Sequence, residues 1–512
     1  MRAQLPHLSM AAAPTPDTPV LAAIDIGSNS FRLELARLQR GRYRRIEYHK
    51  RVVRLGGDLD EASRLREAGI QRGLDCLAEF AASLKAMPSA HVRAVATQTL
   101  REAANRDEFL SRAQQVLGYP IEVISGREEA RLIFAGVSHL QPSDQPRLVV
   151  DIGGRSTELI LGLKREPGAA ESFAVGSVSL SMRYFADGRL TAAAFRAAQV
   201  AAGAEFEEAL ASFAPDRWVE ALGSSGTAGA LADILQAMHL TDGRITPEAL
   251  AQLIDRCIHA GRIDRIELPG LRDDRRAVLP GGLAILYTLA THFGIRELFP
   301  AKGALRQGVI IDLHERLQAA THADPQDMRD ATVLLLKKRY EVDVQQARQV
   351  RDAALALHDS VALRDDAEAR RELGWAALLH EIGLFVSHHD HHCHSAYLLG
   401  HIDAPGFSQS QQRRLADLAL AQRGGLRKIE ALLKQPASAW QVLCLRLAVI
   451  RCHARGTPEG PDWVLTRHGP DLALLSWRPA RLSPNPRTLY LLHEEAQAWA
   501  RSGVLRLELP SP

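Results

Sequence analysis

The chain has 512 residues, 46% of them hydrophobic and 24% charged, with a formal net charge of +3. That length exceeds one hydrophobic core and predicts three or four domains of roughly 150 residues each. The composition is that of an ordinary globular protein, and no uninterrupted apolar run approaches the roughly 20 residues that span a bilayer.

The opening MRAQLPHLSMAAAPTPDTPV lacks the long apolar segment of a signal peptide, so a disordered tail over 1–20 and a cytoplasmic protein are expected. Five cysteines, odd in number and without a CxxC pair, point to buried thiols rather than a disulfide framework or a zinc finger. Basic residues cluster at YRRIEYHKR (43–51), DDRRAV (273–278) and LLKKRY (335–340). Such clusters are either solvated faces or sites for polyanions, and they leave peripheral association with a membrane surface open.

From Leu21 the pattern predicts a meander of strands, LAAID, FRLELARL and RRIEYHKRVVRL. A helix follows at about 61–86, then a strand at 91–97, a helix near 104–117 and a strand at 121–125. REEARLIFAGV (127–137) reads as a helix, after which the order restarts with RLVVDIG, STELILGL and ESFAVG. A helix near 191–212, a strand at 218–224, helices to about 294 and a strand-turn-helix at 297–313 complete the second set. Residues 317–455 carry apolar side chains at three- and four-residue spacing and predict a helical domain, and 456–512 returns to short strands around a helix at about 490–501.

The stretches LAAIDIGSNSF (21–31) and LVVDIGGRSTE (148–158) repeat one device. A strand ends in Asp-Ile-Gly and enters a turn of small and hydroxyl residues. Glycine permits close backbone approach, exposed N–H groups form an anion nest, and hydroxyls add donors. Gly27, Ser28, Asn29 and Ser30 in the first copy and Gly153, Gly154, Ser156 and Thr157 in the second are therefore candidate phosphate ligands. Gly226 and Thr227, in the third small-residue loop LGSSGTAG, are weaker ones. Asp151 and Glu158 bracket the second loop as candidate Mg²⁺ ligands, and Asp25 is the matching acid of the first.

IDIGSNSFR, ATQTLREAAN, ISGREEARLIFAGV, VVDIGGRSTELI, GSSGTAGAL, LPGGLAIL and KGALRQGV occur in that order. Together they resemble the exopolyphosphatase and guanosine pentaphosphate phosphatase family, within the actin, sugar kinase and heat-shock ATPase superfamily. The resemblance covers nearly the whole chain. It implies an α/β fold of two duplicated actin-like (ribonuclease H-like) domains at 21–135 and 136–316, an all-α HD-like domain at 317–455 and a small C-terminal α+β domain at 456–512. It also implies Glu129 as the residue that activates the attacking water, with Glu128 a supporting or solvent-facing neighbour. Arg101 and Arg275 stand where the family keeps cations near the substrate, and Mg²⁺ is implied as cofactor, with K⁺ as a candidate activator and a homodimer as the assembly. The family's second loop carries Gly or Ala where this chain has Arg155. That side chain either obstructs the phosphate route or swings out to supply a cation, and we expect it to contact substrate.

His358, His380 and Glu381 resemble an HD-type metal site in which Glu replaces Asp and the later helix LCLRLAVIRCHAR supplies no carboxylate, so a degenerate, non-catalytic HD-like domain is expected. The tract SHHDHHCHSAY (387–397) reads as an exposed loop between helices, with adventitious metal or polyphosphate binding as the alternative. The leading functional expectation is an exopolyphosphatase acting on inorganic polyphosphate. The alternative is a phosphatase converting guanosine pentaphosphate to the tetraphosphate. An actin-superfamily ATP-dependent kinase and a non-catalytic alarmone binder are the readings from other classes.

Overall fold

A computed structural model of the chain describes residues 18–85, 87–321, 327–362, 367–455, 460–479 and 484–510. Most of the expected N-terminal tail lies outside them. By compactness the chain divides into two units, one of residues 1–121 with 130–317, the other of residues 122–129 with 318–512. The finer division drawn from the sequence at 135/136, 316/317 and 455/456 stands as a proposal.

Two five-stranded sheets carry the duplication. The first is built from β1 (Leu21–Ile26), β2 (Ser30–Gln39), β3 (Arg42–Val52), β4 (Val92–Ala96) and β5 (Ile121–Val123), in the order β3-β2-β1-β4-β5. The second is built from β6 (Arg147–Ile152), β7 (Thr157–Leu163), β8 (Glu166–Phe173), β9 (Glu220–Ser224) and β10 (Phe299–Pro300), in the order β10-β9-β6-β7-β8. Matching each strand to the one five places later makes the two orders identical. In both, an antiparallel meander is extended on its first strand by a parallel neighbour. Every residue of β1 and β6 is buried, as expected of central apolar strands covered on both faces.

Within this unit the helices Gly126–Leu140 and Leu305–Thr321 meet backbone to backbone. A Cβ on Gly308 would fall 1.7 Å from the Leu132 carbonyl oxygen, and one on Gly136 would fall 2.4 Å from that of Ala304, so only glycine permits this approach. Beside the contact, buried Asp312 accepts from Arg93 at 2.7 Å, Arg131 at 2.5 Å and Arg316 at 2.6 Å. Burial works against the Asp312 charge, but the three guanidiniums outweigh it and hold the carboxyl far below its ordinary range.

The second unit holds the helices Met328–Arg339, Val344–Val361, Ala367–Leu379, His391–His401, Gln409–Ala421 and Pro436–Arg451. A three-stranded sheet of β11 (Asp462–His468), β12 (Leu472–Arg478) and β13 (Arg506–Glu508) follows, with the helix Pro486–Ser502. One continuous apolar core runs through all of it, from Val333 to Leu507. The buried fork of Arg446 on Glu495, at 2.6 and 2.7 Å, ties the helices to the C-terminal segment.

The expectation of buried thiols holds for Cys76, Cys257, Cys444 and Cys452, and burial pushes Cys76 and Cys257 up to about 12. Cys393 is the exception and is exposed. No helix among the described residues is long and apolar enough to cross a membrane.

Candidate functional site

The two Asp-Ile-Gly strands present their acids in matching rows. In the first sheet Asp25 of β1 stands opposite Arg32 of β2, which stands opposite Lys50 of β3. In the second, Asp151 of β6 stands opposite Glu158 of β7, which stands opposite Ser172 of β8. Directly opposed residues project to the same side of a sheet, so each row forms one polar line. Arg32 donates to Asp25 at 3.0 Å, and Ser172 donates to Glu158 at 2.8 Å.

The loops after the two aspartates touch. A Cβ on Gly154 would lie 3.0 Å from Ser28 Cβ and 3.4 Å from the Asn29 nitrogen. Ser28 is held from behind by Thr99, whose hydroxyl donates to Ser28 Oγ at 2.8 Å. In the second loop the Gly153 N–H donates to the Ser156 carbonyl at 2.9 Å, and Thr157 donates to the Val175 carbonyl at 2.6 Å. The third loop joins them. Thr227 donates to the Ile152 carbonyl at 2.9 Å and Ser225, at φ +72°, to the same oxygen at 3.0 Å.

Cations close over these loops. A Cβ on Gly226 would fall 2.0 Å from the Arg275 Nη2, so the missing side chain is what lets the buried guanidinium lie there. Burial, with Arg32 nearby, pushes Arg275 below its ordinary range, and burial with Arg275 does the same to Lys50, although Lys50 pairs with Asp274 at 3.1 Å. Arg306 reaches Asp25 at 3.8 Å and Glu34 at 3.3 Å. Asn29 Oδ1, Ser30 Oγ and Arg275 Nε are buried without a hydrogen-bond partner. Cations depressed by burial and by cationic neighbours, beside the Ser30 and Arg275 donors in search of acceptors, describe a place that an anion would complete, while the Asn29 oxygen awaits a donor. Sequence reasoning did not single out Arg32, Lys50 or Arg306, although Arg32 ends the motif IDIGSNSFR, Lys50 lies in the basic cluster 43–51 and Arg306 lies within KGALRQGV.

Arg155 goes elsewhere. Its guanidinium pairs with Glu102 at 2.7 Å and donates to the Gly56 carbonyl at 3.0 Å, laying the side chain over the first loop's neighbours. Arg101 turns back on Gln98, donating at 2.9 and 2.6 Å. Glu129 sits in the first turn of the helix Gly126–Leu140 and is buried. Glu128 is also buried and accepts from the Gly406 N–H at 2.8 Å, which corrects the expectation of a solvent-facing neighbour. Arg127 pairs with Asp403 at 2.5 Å.

Asp25, Asp151 and Glu158 are the residues that would hold Mg²⁺. Burial raises the Asp151 carboxyl above its ordinary value, only partly offset by the Ser224 hydroxyl, Arg32 and Ser225, so this buried carboxylate is short of positive charge. Among the described residues no group of three or more His, Cys, Asp or Glu could hold a metal by itself. Asp25, Asp151 and Glu158 therefore do not make a closed cage, and substrate phosphate and water would supply the remaining ligands, as Mg²⁺ commonly requires.

In the helical unit His380 donates to the Ala377 carbonyl and Glu381 pairs with Arg455 at 2.6 Å. The histidine tract is not wholly an exposed loop. Asp390 turns the chain at φ +49° into the helix His391–His401, and His391 and His392 are buried at its start.

Two lobes of repeated topology, each offering an Asp-Ile-Gly loop to a shared cation-lined cleft, define a phosphoryl-handling enzyme of the actin-like class. The chain belongs to the Ppx/GppA phosphatase family, whose model matches residues 35–317, and the model of that family's domain III matches residues 328–486. It is a phosphoanhydride hydrolase. A relative from Aeromonas hydrophila, named guanosine-5'-triphosphate,3'-diphosphate pyrophosphatase, is 39% identical over 88% of this chain and 90% of its own length. A protein of the same name from Aeromonas salmonicida is 38% identical over the same shares. Among solved structures, an exopolyphosphatase-like protein is 28% identical with a TM-score of 0.53, covering 59% of this chain and 99% of its own. An exopolyphosphatase from Cytophaga hutchinsonii has the same TM-score at 23% identity, covering 58% of this chain and 98% of its own, and shares the fold.

Proposed function

We propose that this enzyme removes the terminal phosphate of guanosine pentaphosphate to give the tetraphosphate. The observation that carries this reading is the 39% identity, across 88% of the chain, to a protein named for that substrate. It displaces the expectation that put long polyphosphate first, and polyphosphate becomes the second substrate to test. A cavity of about 580 Å³ beside the first loop supports it, bordered by Asn29, Val178, Met182, Arg54, Arg262 and Arg276. It offers apolar surface for a nucleoside and Arg54 as a cation for a second phosphate group, Arg262 and Arg276 being paired with Asp264 and Asp273 in the same lining.

In this reading the loops 27–30, 153–157 and 226–227 surround the terminal phosphates. The Thr157 and Thr227 hydroxyls and the Gly153 N–H, already given to carbonyls, shape the loops, and donation falls to the remaining N–H groups and to Ser28 and Ser30. Arg275, with Ser30, meets their non-bridging oxygens. Glu129 takes a proton from the attacking water, the role the family resemblance gives it. Arg101 stays a candidate phosphate contact. Asp151, Glu158 and Asp25 would hold Mg²⁺, which supplies charge neutralisation at the phosphate oxygens. K⁺ activation, a homodimer and a cytoplasmic location are part of the same proposal.

The test is phosphate release from guanosine pentaphosphate, long polyphosphate and ATP, offered separately with Mg²⁺. The reading predicts the highest kcat/KM for guanosine pentaphosphate. A higher value for polyphosphate returns the enzyme to exopolyphosphatase, and a higher value for ATP removes both.

A further inference from the structure

The helical unit contains a cavity of about 610 Å³ for which the hydrolytic reaction has no use. Two of its cations are already matched, Arg446 with Glu495 at 2.6 Å and Arg455 with Glu381 at 2.6 Å. Arg423 faces an imidazole instead, with Nη1 3.2 Å from His391 Nε2. A guanidinium can only donate, so Nε2 accepts, the ring is neutral and its proton sits on Nδ1. That Nδ1 is buried and has no hydrogen-bond partner. A buried donor beside a guanidinium lacks one thing, an anionic acceptor.

The groups around His391 point the same way. Burial and Arg423 push its ring down to about 4, with His380, His392 and His388 adding to the effect. Nearby, burial pushes the Lys428 ammonium down to about 8, with Arg446 and Arg423 contributing and Asp390 and Cys393 opposing.

Two further orphans give the ligand a body. Gln422 is 2% exposed and donates to the carbonyls of His380 at 2.6 Å and Ala419 at 2.9 Å, which leaves its Oε1 buried without a partner. Gln346 is 5% exposed and donates to the Cys452 carbonyl at 3.0 Å, which leaves its Oε1 in the same state. Both side chains line the cavity, where Leu384, Val449, Ile450 and Leu491 supply apolar wall. A bare phosphate ion would answer His391 and Arg423 but offers little to two carbonyl acceptors or to that wall. The volume falls in the range of roughly 300–1,000 Å³ usual for small-molecule sites.

We propose that this cavity binds a small organic phosphate, its phosphoryl group on His391 and Arg423 and its hydroxyl or amino donors on Gln422 and Gln346. The proposal is independent of which substrate the cleft hydrolyses.

Equilibrium dialysis of the full-length chain with radiolabelled GMP tests it, using the natural protein and Arg423→Glu, a change at an exposed position. The expected result is a class of GMP site that is weakened at least about tenfold in the variant, while phosphate release at the cleft keeps its natural rate. Unlabelled orthophosphate should compete for that site at least about tenfold less well than unlabelled GMP. If Arg423→Glu melts early, Arg423→Gln is read in the same assay and should show the same loss. Superimposable isotherms for the natural protein and the variants would overturn the proposal, and orthophosphate competing as well as GMP would overturn the organic body.

Discussion

Arg32 and Glu158 occupy the same position in the two copies of one hairpin, each directly opposite the aspartate that ends the preceding strand. The duplicated framework has thus diverged into complementary halves. In the first half Asp25 is neutralised by Arg32 at 3.0 Å, and in the second Asp151 faces a second acid. Positive charge for the second half has to come from elsewhere, and this is the ground on which we propose its carboxylates as ligands of a divalent cation.

A pH prediction follows from Asp151. Burial raises its carboxyl, with Asp25 adding to the shift. The folded chain then holds the proton over a range in which the unfolded chain has lost it. The contribution of this one carboxyl to stability is therefore greatest below the ordinary aspartate value of about 3.9 and is lost as pH rises through the folded value. Asp151→Asn removes that loss, so its melting temperature at pH 8 should equal or exceed that of the natural protein, while Mg²⁺-dependent turnover falls by at least about a hundredfold. A variant that melts several degrees lower at pH 8 would mean that the ionised carboxylate is stabilising.

Arg155 has a partner on the other lobe, and this bears on the expectation that it contacts substrate. Its side chain and that of Glu102 are 22% and 27% exposed, so their pairing contributes about 1 kcal/mol or less. We predict that Arg155→Ala and Glu102→Ala each lower stability by a small amount, and that the double variant costs less than the sum of the two. If Arg155 also contacts substrate, Arg155→Ala raises KM while Glu102→Ala does not. Equal KM values in the two variants would leave Arg155 a lobe-to-lobe tie alone.

Gly226 separates space from folding. The atom that a Cβ would strike, 2.0 Å away, is the far end of the Arg275 side chain, which can swing aside. Gly226→Ala should therefore fold normally and raise KM for phosphorylated substrates by about tenfold or more through displacement of Arg275. Gly308→Ala meets the Leu132 backbone at 1.7 Å and should instead lose stability, in line with overpacking costs of about 1–3 kcal/mol or more. Melting curves and steady-state kinetics on both variants distinguish the two effects.

The duplication was legible because it is written locally. An apolar run, Asp-Ile-Gly and a small-residue turn specify a strand and its exit within a few residues, and the structure places both loops against each other. What was not legible depends on residues far apart in the chain. Lys50 meets Asp274 across 224 positions and Arg155 meets Glu102 across 53, and neither pair has a spacing that a sequence pattern could flag. The burial of His391 and His392 was hidden for another reason. A run of imidazoles reads as polar, and only the turn at Asp390 shows that the helix begins inside it. The two roles left open for Glu128, supporting or solvent-facing, could not be separated in the sequence because its acceptor role depends on the backbone of Gly406, 278 positions later.

The most direct test of the account concerns Glu129 and the hydrolysis of guanosine pentaphosphate. Release of orthophosphate should be measured under saturating substrate and Mg²⁺ for the natural enzyme and for Glu129→Gln, which preserves size and one acceptor oxygen while removing the base. The account predicts a fall in kcat of about 10²–10⁴-fold with KM little changed. A Glu129→Gln enzyme that keeps its kcat within a few-fold of the natural one would contradict it.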